Sequence, residues 1–241
     1  MSHRLGQLAY LSAVVLLLCS LAAQQAPSHP SSSSSKPAKI AQPQTSAPDP
    51  GAIANGVYRN SFFGFSYKVP FGWVDRTDDM REDANQPAQP SANAVEHPEA
   101  GAEAHADARA KPMVLLATFE RPPEATGDTV NSAVVFAAEP ASSYPGLRNP
   151  EHYFGPLTEL IKSKDFTVVN EPYEFPVDAK PLVRGDFSKP RGKLTMYQST
   201  LVMMEKGYVI SFTFIGGSDD EVNELVEGLS FSQKAKPAGH R

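Results

Sequence analysis

Apolar positions are spread unevenly along the chain. Between residues 8 and 18 they run almost unbroken, with Ser12 the one interruption. From 24 to 55, and again from 77 to 111, they are sparse. Between residues 57 and 232, outside that second stretch, they recur with the periods of strands and helices.

Phe63-Gly64-Phe65-Ser66-Tyr67-Lys68-Val69-Pro70 alternates apolar with other residues, the period-two pattern of a strand. Phe71-Gly72-Trp73 follows as a turn carrying a large apolar anchor. Residues 113–119 form a continuous apolar run, as expected of a strand buried on both faces, and residues 131–138 form a similar one. Asn149-Pro150 has the form of a helix start, with proline at the first helical position. Tyr153, Leu157, Leu160 and Ile161 share a helical face. Pro156 removes a backbone donor from that segment, so the helix is expected over about 156–164 with a separate turn before it. Residues 166–169 read as a strand that 173–177 extends past Pro172, and 181–187 as another. Residues 194–204 and 208–215 are expected to pair across Glu205-Lys206-Gly207. Ser218-Asp219-Asp220-Glu221 is a capping box, with carboxylates where the helix dipole favours them. Val222, Leu225, Val226 and Leu229 then form one stripe of a helix expected over 219–228, which Gly228 ends. A strand meander punctuated by two amphipathic helices predicts an α+β fold, an antiparallel sheet with helices packed on it.

The sparse regions set the expected domain organisation. Arg4, the apolar run to Leu18 and the small residues around Ala22-Ala23 make the three-part pattern of a secretory signal peptide over 1–23. Its apolar core is short for a membrane span, which needs roughly 20 residues. The expected mature chain is therefore periplasmic or secreted, with no transmembrane span. Cys19 is the only cysteine. Leu18 precedes it where lipid attachment wants a small residue, so Cys19 reads as part of the leader rather than an anchor. A chain cleaved after Ala22 or Ala23 then has no disulfide, no zinc–thiolate site and no cysteine nucleophile. Residues 24–56, with serine at every position from 31 to 35, offer too little apolar surface to offset ordering and read as a disordered linker. Residues 57–232 are expected to fold as one domain, 77–111 as a solvated excursion from it with a short helix near 102–110, and 233–241 as a tail.

The aromatic opening carries a resemblance. Phe63-Gly64-Phe65-Ser66-Tyr67 followed by Val69-Pro70-Phe71-Gly72-Trp73 resembles the start of the PsbP-like superfamily, which includes the photosystem II extrinsic subunit and DcrB-like bacterial envelope proteins. The closing order, a long hairpin, a capped helix and a short terminal strand at about 229–232, is similar too. The resemblance spans residues 57–232 and implies an α/β/α sandwich around an antiparallel sheet. It implies a binding or assembly factor and brings no catalytic residues. The long stretch after Trp73 departs from the compact family pattern.

Candidate chemistry is thin. The formal net charge is −5, which gives no drive toward nucleic acid. Of six histidines only His152 falls in the expected fold, and no Gly-x-Ser-x-Gly elbow accompanies it. His97, Glu99, Glu103 and His105 have metal-ligand chemistry but no apolar shell to fix them. Gly216-Gly217 precedes a helix start, yet Asp219, Asp220 and Glu221 would repel an anion there. Arg184-Gly185-Asp186 spells an adhesion tripeptide inside an expected strand. No cofactor and no metal site are expected. Lys180, Arg184, Lys189, Arg191 and Lys193 form a basic cluster, either an edge hairpin kept unpaired by charge or a patch for an acidic envelope protein or an anionic surface.

These features predict an exported, non-enzymatic binding or assembly factor. Two alternatives stand beside it. One is a carboxylate-dependent hydrolase drawing on Asp75, Glu120, Glu139 or Asp186. The other is a small-ligand binder using an aromatic groove near Trp73.

Overall fold

The computed structural model describes residues 48–85 and 112–231. The expected leader, the linker to residue 47, residues 86–111 with the candidate ligands His97, Glu99, Glu103 and His105, and the tail from 232 lie outside the described residues.

The centre is a seven-stranded antiparallel sheet. Its strands are β4 (Val74–Asp75), β5 (Met113–Phe119), β6 (Ala133–Pro140), β7 (Thr167–Val177), β8 (Lys180–Arg191), β9 (Leu194–Glu205) and β10 (Tyr208–Gly216), in the spatial order β4-β5-β6-β10-β9-β8-β7. The expected hairpin is present, with Tyr208 opposite Glu205 and Phe214 opposite Ser199. The apolar runs of β5 and β6 are buried on both faces, as their lack of alternation requires, and β10 is buried on both faces although Ser211 and Thr213 alternate with its aromatics.

One face of this sheet carries Phe136, Phe212, Phe214, Leu201 and Leu182. A four-stranded sheet covers it, built from β1 (Ala52–Ala54), β2 (Val57–Asn60), β3 (Phe65–Lys68) and β11 (Leu229–Phe231) in the order β1-β2-β3-β11. Tyr58, Phe65 and Tyr67 of this smaller sheet meet Phe136 edge-on, with ring centroids 5.1–6.4 Å apart. The helix α3 (Asp219–Val226) shares this face through Val222, Leu225 and Val226. The opposite face is covered by α1 (Thr77–Asn85), packed through Met80 and Ala84, and by α2 (Pro150–Lys162), packed through Tyr153, Phe154, Leu157 and Ile161. The architecture is α+β with helices on both faces of an antiparallel sheet.

Three sequence expectations change. The helix α2 begins at Pro150, not near 156. The Asn149 side chain accepts a bond from the His152 N–H at 3.0 Å and caps it, and four buried side chains hold the segment helical through Pro156. Residues 77–85, expected at the head of a solvated excursion, form α1. Thr77 Oγ1 accepts from the Ala117 N–H and Arg81 donates to the Val114 and Leu115 carbonyls, so this helix is tied to β5. Residues 52–54, expected in the linker, pair with β2. The capping box also differs in detail. Ser218 Oγ accepts from the Glu221 N–H at 3.1 Å, but the Glu221 carboxylate takes the Gly217 N–H at 2.7 Å and the Ser132 hydroxyl. No described helix is long and apolar enough to cross a membrane.

Candidate functional site

The five basic residues proposed as a patch do not share a surface. Side chains alternate along β8, which puts Lys180 and Arg184 on one face, with Arg184 against α3, and Lys189 on the other, beside the end of α2. Lys180 pairs with Glu205 at 2.6 Å. Arg184 is only 5% exposed, donates to Asp186 at 2.7 Å, and bonds the Ser199 hydroxyl and the Asn223 carbonyl oxygen. Asp186 in turn accepts from Asn170, Tyr173 and Ser199. Burial and the Asp186 carboxylate raise the Tyr173 phenol above its ordinary value. Lys189 donates to the Lys164 carbonyl and lies over the Phe166 ring. Arg191 is half-buried, and Lys193 is exposed in the β8–β9 turn. Arg184 thus belongs to a buried network that locks β7, β8, β9 and α3 together. This also disposes of the adhesion tripeptide, because Gly185 faces α2, where a Cβ would stand 2.6 Å from Phe154.

The carboxylates considered for hydrolysis are bound to separate partners. Asp75 accepts from the Thr77 N–H and hydroxyl at 2.9 and 2.6 Å. Glu120 meets Arg121 at 3.2 Å. Glu139 accepts from the Tyr153 hydroxyl at 2.6 Å and from Tyr144. Burial, with this carboxylate alongside, holds the Tyr153 phenol well above its ordinary value. Asp186 serves Arg184. His152 is exposed at the start of α2. The Gly217 amide is taken by Glu221, which leaves no anion cradle there. Among the described residues no group of three or more His, Cys, Asp or Glu side chains could hold a metal.

A concave feature lies where the sequence placed its aromatic groove. A cleft of about 910 Å³ opens between the β1–β2 turn, the β3–β4 turn and the C-terminal end of α3. Val69, Pro70 and Trp73 line it on one side and Leu225 on another. Gly72 takes a positive φ of 82°, which turns the chain sharply and leaves Phe71 fully exposed at the tip. Asp75, Glu224 and Glu227 border the cleft, with Lys68 the one basic residue among its described lining. Two buried hydroxyls form part of its wall. Tyr67 is 1% exposed and Thr118 0%, and neither Tyr67 Oη nor Thr118 Oγ1 has a hydrogen-bond partner among the described residues. Burial pushes the Tyr67 phenol well above its ordinary value.

The sequence marked the Phe71-Gly72-Trp73 turn, an aromatic groove near Trp73 and Asp75, but not Tyr67, Thr118, Glu224 or Glu227 beside them. Phe71 looks like a core residue in a one-dimensional pattern, and only the turn geometry exposes it. Thr118 sits inside an apolar run whose polarity signals nothing by itself. Glu224 and Glu227 read as the solvated side of an amphipathic helix. Their place beside Trp73 depends on β11 pairing with β3, a contact across more than half the chain.

No protein-family model matches the chain, and no curated protein matches it. Among solved structures it is similar to cyanobacterial PsbP from Synechocystis sp. PCC 6803. The TM-score is 0.42 at 12% identity, over 79% of this chain and 100% of that one. It is also similar to LpqN, involved in cell envelope biogenesis of Mycobacterium tuberculosis (TM-score 0.32, 13% identity, 77% of this chain and 87% of that one). A protein of unknown function from Pseudomonas aeruginosa matches over 42% of this chain and 68% of its own length (TM-score 0.28, 11% identity). These are likenesses of fold alone, and nothing about ligand or partner is taken from them.

Proposed function

We propose that this chain is an exported, non-enzymatic binding protein of the cell envelope, and that it docks a partner on the Trp73 cleft and the Phe71 tip. The leader pattern of residues 1–23 supports export. The observation that carries the docking face is Phe71, a large apolar side chain with its whole surface in water beside a concave wall. Burying a phenylalanine is worth roughly 1.5–3 kcal/mol. That energy is unused at this tip, and a partner that covers Phe71 would recover it. The hydrolase alternative has no support in the site, because Asp75, Glu120, Glu139 and Asp186 each hold a different set of partners.

Replacing Phe71 with serine tests the docking face. Phe71 touches little of the fold, so Phe71→Ser should melt within a degree or two of the parent, on the order of 0.5 kcal/mol or less for a surface change. Capture of partners from an envelope fraction by Phe71→Ser should fall sharply relative to the parent. Undiminished capture by this variant would remove the tip from the docking face.

A further inference from the structure

We propose that the Trp73 cleft receives the lysine or arginine side chain of an extended segment of a partner protein. This deepens the docking reading above and rests on it. Charge is the first argument. Asp75, Glu224 and Glu227 oppose Lys68 alone around the cleft, and none of the four is ion-paired among the described residues. An acidic peptide, a phosphate or an anionic lipid surface meets net repulsion here, and a cation meets attraction. The ring faces of Trp73 and Phe71 add to the attraction, since an ammonium or guanidinium within about 6 Å of a ring centroid is held by its quadrupole. Val69, Pro70 and Leu225 offer apolar surface for the methylene stem behind such a head group.

The inner wall supplies the second, independent argument. Tyr67 Oη and Thr118 Oγ1 are buried hydroxyls without a hydrogen-bond partner among the described residues. Each hydroxyl can accept from an ammonium or guanidinium N–H and can equally donate, so the orphans mark a polar partner and the bordering carboxylates select a cation. A buried polar group is normally satisfied, and two orphans bordering one cleft mark where a polar head group fits. Both are closed off from solvent, so the entering head group displaces the side chains that cover them. A peptide fits better than a free small cation. The cleft, at about 910 Å³, is far larger than one side chain, and only a partner with a surface of its own covers Phe71.

Trp73 is the only tryptophan in the chain, so intrinsic fluorescence of the full-length protein reports the cleft directly. The probe is a short peptide of alternating lysine and alanine with blocked ends. It is compared with a glutamate–alanine peptide, spermidine and phosphatidylglycerol vesicles. The lysine peptide should shift Trp73 emission saturably, and added salt should weaken it. Glu224→Gln with Glu227→Gln should weaken it roughly tenfold. Tyr67→Phe removes an orphan hydroxyl, so the free protein should melt no lower than the parent while binding the peptide several-fold more weakly. A silent Trp73, an equal response to the glutamate peptide, spermidine as effective as the peptide, a response to vesicles alone, or undiminished binding by Tyr67→Phe would each overturn the proposal. If Phe71→Ser abolishes partner capture while the lysine peptide leaves Trp73 silent, the docking face stands and its preference for a cation falls.

Discussion

Tyr58 and Tyr67 place two phenols against the same Phe136 ring, yet their hydroxyls have opposite fates. Tyr58 Oη donates to the Pro50 carbonyl at 2.8 Å and accepts from Asn60 at 3.1 Å, whereas Tyr67 Oη has no partner among the described residues. Burial raises both, Tyr58 from 10.0 to about 12. The unfolded chain releases the Tyr58 proton near 10 while the folded chain keeps it. The stability tied to that proton is therefore complete below pH about 10 and is lost as pH climbs toward about 12, on the order of 2–3 kcal/mol for Tyr58 alone. Tyr67 and Tyr153 shift the same way and add to the loss. Urea unfolding at about pH 8 and about pH 11 should show a drop of several kcal/mol, with phenolate absorbance from the buried tyrosines appearing only as the protein unfolds. Equal stability at both pH values would mean these phenols are solvated.

Densely apolar strands and elements closed by neighbouring residues were legible; the start of α2, the helix α1 and the strand β1, which rest on tertiary packing, were not. The β9–β10 hairpin turns at Lys206-Gly207, both at positive φ, and α3 carries its own cap, so both follow from local chemistry. The edge position of β7 explains how Pro172 and Pro176 sit inside a strand. Pro156 misled because its missing donor is a local penalty, while the burial of Tyr153, Phe154, Leu157 and Ile161 that outweighs it is a tertiary gain. Pro156 is exposed, so Pro156→Ala should restore a helix hydrogen bond and stabilise by about 1–3 kcal/mol in chemical denaturation. A destabilised Pro156→Ala would contradict a continuous α2. Residues 77–85 misled for the opposite reason: their charges suggest a solvated loop, and of the apolar residues among them only Met80 and Ala84 are available to pack. Met80→Ala should cost about 2 kcal/mol or more if α1 packs on β5 as described. A cost near zero would return this segment to the excursion.

At the scale of the whole molecule, polar and apolar features are divided between ends of the fold. The basic residues of β8 are absorbed internally, Lys180 by Glu205, Arg184 by Asp186, and Lys189 by the Lys164 carbonyl and the Phe166 ring. A strand's alternation split the basic cluster that looked continuous in the sequence. At the end holding the β3–β4 turn and the C-terminal end of α3, Asp75, Glu224 and Glu227 have no ion pair among the described residues and Phe71 lies in water. The docking face proposed above lies at this end. Photo-cross-linking in living cells tests it most directly, with a photoreactive residue at position 71 and, separately, at position 194. Leu194 is an exposed apolar residue beside the β8–β9 turn and serves as the control. Adducts should form from position 71 and not from position 194. Adducts from position 194 alone would contradict the account and return the docking face to the basic hairpin.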